Sequence, residues 1–227
     1  MLLLWSVVSY LEMQHALQWW FKRQSAQLSS ESEQIHNGLL QEVFAIRRSL
    51  ELSLIEETGV SLNQGHDWLH KAEKLHQSLE QLSDTLSPPF LSESLPLAMQ
   101  CMLARQRNQS GLNLEVTLPS QWNDASSERN RIILMVLDEL LKLALPKAAI
   151  EATQRIGLSA DETTGELTVE LTYPDLQTLT SLMQTKELKY LCCCFQCLAP
   201  GRCICQKENL TVIWRFRWRL QEAYPLQ

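Results

Sequence analysis

EQIHNGLLQEVFAIRRSLEL, residues 33–52, is the stretch that decides the fold. Leu39, Val43, Ile46 and Leu50 recur at intervals of four, three and four, the spacing of a helix seam that packs on other helices. His36 stands one turn before that seam, at its edge, where a side chain on a rigid helix stays accessible to solvent. Gly38 leaves room for an approaching partner, and Gln41 follows five residues after the histidine.

A second helix is expected over residues 67–86, where Trp68, Leu69, Leu75, Leu79 and Leu82 fall at helical spacing after a turn at 58–65. Two long helices with a short connection make an antiparallel hairpin. A hairpin with its seam on one side cannot hide that seam alone, so a second copy is expected to complete a four-helix bundle, making the protein a homodimer.

Residues 1–30 read as a lead-in amphipathic helix. Its apolar start is interrupted by Glu12, Gln14 and His15, short of the roughly 20 apolar residues that span a bilayer. No basic residue precedes the apolar run and no small-residue cleavage site follows it, which argues against a signal peptide. The expectation is a helix packed on its dimer mate, with peripheral membrane contact through residues 2–5 as the lesser reading, in a cytoplasmic protein. A net charge of -6 argues against nucleic-acid binding through bulk electrostatics.

Ser87-Pro88-Pro89 breaks the hairpin. Beyond it the pattern changes to a short helix (95–107), a strand (112–118), a helix with Ile132, Ile133, Val136, Leu137 and Leu140 on its buried side, and strands at 165–174 and 210–220. The fold class is α+β. The expected domains are the lead-in helix (1–30), the hairpin (31–87) and an α/β domain (88–227) with a cysteine-rich segment at 192–205.

The box His36-Asn37-Gly38-Leu39-Leu40-Gln41 and the Leu-x-Pro-Pro step at residues 86–89 resemble sensor histidine kinases of the nitrate-sensor and desaturase-thermosensor type. In that family the box reads His-Asp-Gly-x-x-Gln. The histidine is phosphorylated, the acid polarises it, and the glutamine positions a hydrolytic water. The resemblance implies a phosphoacceptor at His36, an orienting Asn37, a supporting Gln41 and a kinase-ATPase-like α/β sandwich. Asn37 replaces the acid, and an amide orients an imidazole without taking its proton. Self-phosphorylation should be weakened, whereas exchange of a phosphoryl group with an aspartate is less demanding.

The family's nucleotide helix carries Glu-x-x-x-Asn-x-x-Lys-His. Counting from Glu139, those positions hold Leu143, Pro146 and Lys147, and leucine offers no oxygen to Mg²⁺. The family's Asp-x-Gly-x-Gly box is represented by Asp175 without either glycine, and Gly201 is the only glycine after Gly165 to serve a phosphate lid. The resemblance therefore implies a degenerate nucleotide site and no nucleotide cofactor. The combination is similar to dimeric histidine phosphotransferases of phosphorelays. There His36 would take phosphate from the receiver domain of one response regulator and give it to another.

Six of the seven cysteines lie in CCCFQCLAPGRCIC, residues 192–205. Cys194 with Cys197 and Cys203 with Cys205 form two loop-borne pairs around Pro200-Gly201, candidate ligands for zinc or an iron-sulfur cluster, with a redox thiol pair as a variant. Against this, the spacing departs from paired CxxC motifs, and cysteine also packs as a small hydrophobe. Cys101 is expected in the core. Arg215, Arg217 and Arg219 alternate with aromatic residues and read as a solvated sheet face rather than a nucleic-acid site. His66, His70 and His76 read as solvated. The competing functions are a non-enzymatic dimeric scaffold or regulator, and a metal or redox sensor built on Cys192–Cys205.

Overall fold

The computed structural model describes residues 2–34, 38, 41, 43–48, 69–79, 90–91, 93–122 and 126–220. The chain forms two compact units, Met1–Phe21 with Pro89–Gln227, and Lys22–Pro88.

The first unit is built on a five-stranded sheet of β1 (Leu114–Thr117), β2 (Gln154–Ala160), β3 (Thr164–Thr172), β4 (Gly201–Glu208) and β5 (Thr211–Arg219), in the order β1-β2-β3-β5-β4. β1 and β2 pair in parallel and all other neighbours are antiparallel. A parallel pair needs a long crossover, which helix α3 (Ser127–Ala144) supplies; α2 (Leu95–Ser110) precedes the sheet. Helices α4 (Leu176–Met183) and α5 (Lys186–Leu198) connect β3 to β4.

Alternation decides which face is buried. In β3, Leu167, Val169 and Leu171 are inaccessible, and in β5 so are Val212, Trp214, Phe216 and Trp218. The register sets Leu167 opposite Phe216, Val169 opposite Trp214 and Leu171 opposite Val212, so the apolar residues form one continuous face. Met99 from α2, Ile133, Leu137 and Leu140 from α3, and Leu191 and Phe195 from α5 complete that core. Each such side chain stabilises the fold by roughly 1.5–3 kcal/mol.

The opposite face is polar. Arg155 pairs with Glu115 at 3.0 Å and with Glu170 at 3.5 Å, Arg217 pairs with Glu166, and Arg215 donates to Gln206. The arginine row of β5 thus lies on a solvated, ion-paired sheet face.

Local chemistry sets the boundaries. α2 ends at Gly111, whose left-handed φ of 64° lets its N–H reach Arg107 O at 3.2 Å. Ser126 caps α3 by accepting from the Arg129 N–H. Pro146, with no N–H to continue the helix, follows in the 3-10 turn Leu145–Lys147. The loop before β2 is held by Gln154, which is fully buried. Its Oε1 accepts from Thr172 N–H at 2.6 Å and its Nε2 donates to Ala149 O at 2.9 Å.

The structure departs from the sequence reading at several points. The first helix does not stop at residue 30: α1 runs unbroken over Leu2–Gln34, because residues 25–34 contain neither glycine nor proline. β2 and β4 were not expected; both lie next to longer apolar strands, and only the pairing reveals them. Cys101 is half-buried rather than in the core, since Ala98, Met99 and Leu103 take the inward positions of α2. Ile132 is likewise half-buried beside a fully buried Ile133.

In the second unit, residues 43–48 and 69–79 are helical. Val43, Phe44, Leu69 and Leu79 are exposed, while Ile46 and Leu75 are half-buried. His70 and His76 are exposed, as expected of solvated positions. Leu39, Leu50, Trp68, Leu82, His66, the turn at 58–65 and Ser87-Pro88-Pro89 lie outside the described residues. No helix among the described residues is long and apolar enough to cross a membrane.

Candidate functional site

The three groups of residues that the sequence singles out occupy different places. His36 and Asn37 lie outside the described residues. Of their box, Gly38 and Gln41 are exposed, and a Cβ built on Gly38 would meet nothing within 4 Å. Ser32 and Glu33, at the end of α1, are exposed as well.

The positions matched to a nucleotide site lie on α3, the following turn and α4. Glu139 is 2 % exposed and its carboxylate lies 3.6 Å from Lys142 Nζ. Leu143, where the family has its metal-binding asparagine, packs against the core. Pro146 and Lys147 form the 3-10 turn and are exposed. Asp175 caps α4: one oxygen accepts from Thr178 N–H at 2.7 Å and the other from Thr178 Oγ1 at 2.8 Å. Those bonds from Thr178 hold its carboxyl below the usual carboxylate range. Each carboxylate oxygen is thus engaged by the helix that follows, as expected of an N-cap aspartate.

The cysteines sit on a regular helix and strand, not on loops as expected. Cys192, Cys193, Cys194 and Cys197 belong to α5, and Cys203 and Cys205 to β4, with the turn at Pro200-Gly201 where the sequence places it. Cys194 is fully buried and its thiol donates to Ala16 O of α1 at 3.3 Å. Burial pushes the Cys194 thiol up to about 12. On the helix surface Cys193 pairs with Cys197, four residues on, and burial is the main cause of its rise to about 11. Cys203 lies against Cys192, and the hydrogen bond between them lowers the Cys192 thiol and raises that of Cys203. Cys205, two residues further along β4, is exposed.

The expected zinc or iron-sulfur ligands, Cys194, Cys197, Cys203 and Cys205, are divided between α5 and β4. Cys194 faces α1, while Cys203 lies against Cys192. Among the described residues, no group of three or more His, Cys, Asp or Glu is placed to hold a metal ion.

Sequence reasoning missed two features. One is the seat for α1: Ala16 is fully buried, the Trp19 ring lies 6.1 Å from that of Tyr190 of α5 at a tilt of 44°, and Trp20 packs on the core. Met13, Ala16, Leu17 and Trp20 are the less exposed residues of this stretch, and their helical spacing was the available signal. The other is the Cys192–Cys203 contact, which only the strand assignment of Cys203 brings out.

No family model matches the chain, and comparison with curated proteins finds no match. Solved structures similar to it include the histidine kinase AdeS of Acinetobacter baumannii, at 12% identity over 81% of this chain and 98% of that one, with a TM-score of 0.41. A histidine kinase of Burkholderia phymatum STM815 aligns at 15% identity over 83% of this chain and 98% of that one, with a TM-score of 0.45. The histidine kinase domain of a blue-light activated kinase from Erythrobacter litoralis aligns at 12% identity over 78% and 96%, again with a TM-score of 0.45.

Proposed function

We propose that this chain is a two-component signalling protein in which His36 accepts and passes on a phosphoryl group from response-regulator receiver domains, without binding ATP. Asn37 orients the imidazole, and Gln41 supports hydrolysis or docking. The observation that carries the reading is Asp175. At the position where the resemblance asks for an adenine-reading carboxylate, each of its oxygens is engaged within α4. Leu143, packed on the core where a metal-binding asparagine would stand, supports the same conclusion.

The exposed residues around position 36 support transfer rather than catalysis on a nucleotide. A receiver domain needs an open helix surface around the phosphoacceptor, and Ser32, Glu33, Gly38 and Gln41 are exposed to either side of position 36. The homodimer is part of the proposal: Val43, Phe44, Leu69 and Leu79 are 46, 64, 62 and 48 % exposed, and a second copy would cover them in a four-helix bundle. The α/β unit then serves as a docking wall.

Phosphoryl transfer from a panel of phosphorylated receiver domains, with His36→Gln as control, tests the proposal. The scaffold reading, favoured by Asn37 in place of an acid, requires that no receiver transfers label to the chain.

A further inference from the structure

A second chemistry lies in the α/β unit and does not depend on His36. α5 and β4 form a helix-strand hairpin, the chain leaving the helix at Leu198 and entering the sheet at Gly201. Phe195 fastens it: its ring lies 5.0 Å from that of Phe216, and a Cβ on Gly201 would come within 2.6 Å of Phe195 Cε1. Cys192 lies almost one turn back along the helix, and Cys203 lies two residues along the strand, on the same face as Gly201 and opposite Phe216. Three helical residues advance about 4.5 Å and two strand residues about 6.7 Å, so the hairpin brings these two sulfurs together. This placement sets Cys203 beside Cys192, and both are half-buried, within reach of a small solute.

We propose that Cys192 and Cys203 form a redox-modification site that closes to an intramolecular disulfide when a hydroperoxide reaches it. The Cys192 thiolate attacks the peroxide, forming an S–O bond and breaking the O–O bond; the leaving hydroxide takes up a proton as water. The Cys203 thiol then gives up its proton as its sulfur attacks Cys192. The S–S bond forms, the S–O bond breaks and a second water leaves. Two thiols lose two electrons in all, and hydrogen peroxide is reduced to two waters.

The other thiols are less suited. Cys193 and Cys197 are four residues apart on one helix, where Cβ atoms are about 5–6 Å apart, beyond the roughly 3.5–4.5 Å a disulfide needs. Cys194 is buried against Ala16. The bond between Cys192 and Cys203 would fix α5 on the edge strand, and α5 is the helix on which α1 rests.

The test uses the full chain, treated with hydrogen peroxide, alkylated under denaturing conditions and digested with trypsin. Cleavage after Lys189, Arg202 and Lys207 separates a peptide bearing Cys192, Cys193, Cys194 and Cys197 from one bearing Cys203 and Cys205. The expected result is a cross-link between the two peptides, mapped by fragmentation to Cys192–Cys203. It should persist in the Cys193→Ser/Cys197→Ser variant and vanish in Cys203→Ser. A bond confined to the first peptide, a bond to Cys205, a bond between two copies, or full alkylation of Cys192 and Cys203 after peroxide would each overturn the proposal.

Discussion

The thiol of Cys194 donates to the main-chain carbonyl of Ala16 at 3.3 Å, joining two residues 178 apart in sequence. Neither residue has any accessible surface. A small residue on α1 is what lets a helix approach α5 closely enough for a side-chain sulfur to reach its backbone. Ala16→Leu should therefore overpack this contact and cost about 1–3 kcal/mol, read by urea denaturation of the full chain. The exposed Gln14→Leu is the control and should leave stability within about 0.5 kcal/mol.

The same contact has a pH signature. Burial raises the Cys194 thiol to about 12 in the folded chain, above its ordinary value in the unfolded one, so the folded state favours the protonated form. That contribution is complete below the unfolded value near 8.5 and is lost as pH rises toward 12. Stability of the wild type should fall over this window more steeply than that of Cys194→Ala. At pH 8, Cys197, which is exposed, should be alkylated well before Cys194.

Gln154 should matter more than its neighbours in the strand. Removing its amide in Gln154→Leu leaves the Thr172 N–H and the Ala149 carbonyl without their partners in a buried setting. An unsatisfied buried group costs about 1–3 kcal/mol, so a loss of that order is expected in chemical denaturation. A loss under about 0.5 kcal/mol would show that water replaces the amide.

Gly201 is needed for a close approach rather than for an unusual φ. A Cβ there would meet the Arg217 carbonyl oxygen at 2.5 Å as well as the Phe195 ring, and the backbone oxygen cannot rotate away. Gly201→Ala should loosen the edge strand. Amide hydrogen exchange in β4 should accelerate while β3, at the centre of the sheet, stays protected.

Much of the fold was legible because its strongest signals are local. Leu167, Val169 and Leu171 alternate with polar residues, and Ile133, Val136, Leu137 and Leu140 recur at helical spacing; all seven are buried. β4 carries a weaker signal. Only Gly201 and Cys203 of its eight residues are even partly covered, so no alternation marks it and pairing with β5 defines it. The cysteines show the same limit. Their density was visible, but which sulfurs meet depends on α5 folding back over β4, which spacing alone does not show. The solvated character of Arg215 and Arg217 was legible, whereas their partners Gln206 and Glu166 come from other strands.

The most direct test of the phosphotransfer proposal is label transfer to the full chain from a panel of phosphorylated receiver domains, beside a tube holding labelled Mg-ATP alone and a second set with His36→Gln. The expected result is label on the wild type from at least one receiver, none from ATP, and none on the variant. Label from ATP alone, or no label from any receiver, would contradict it.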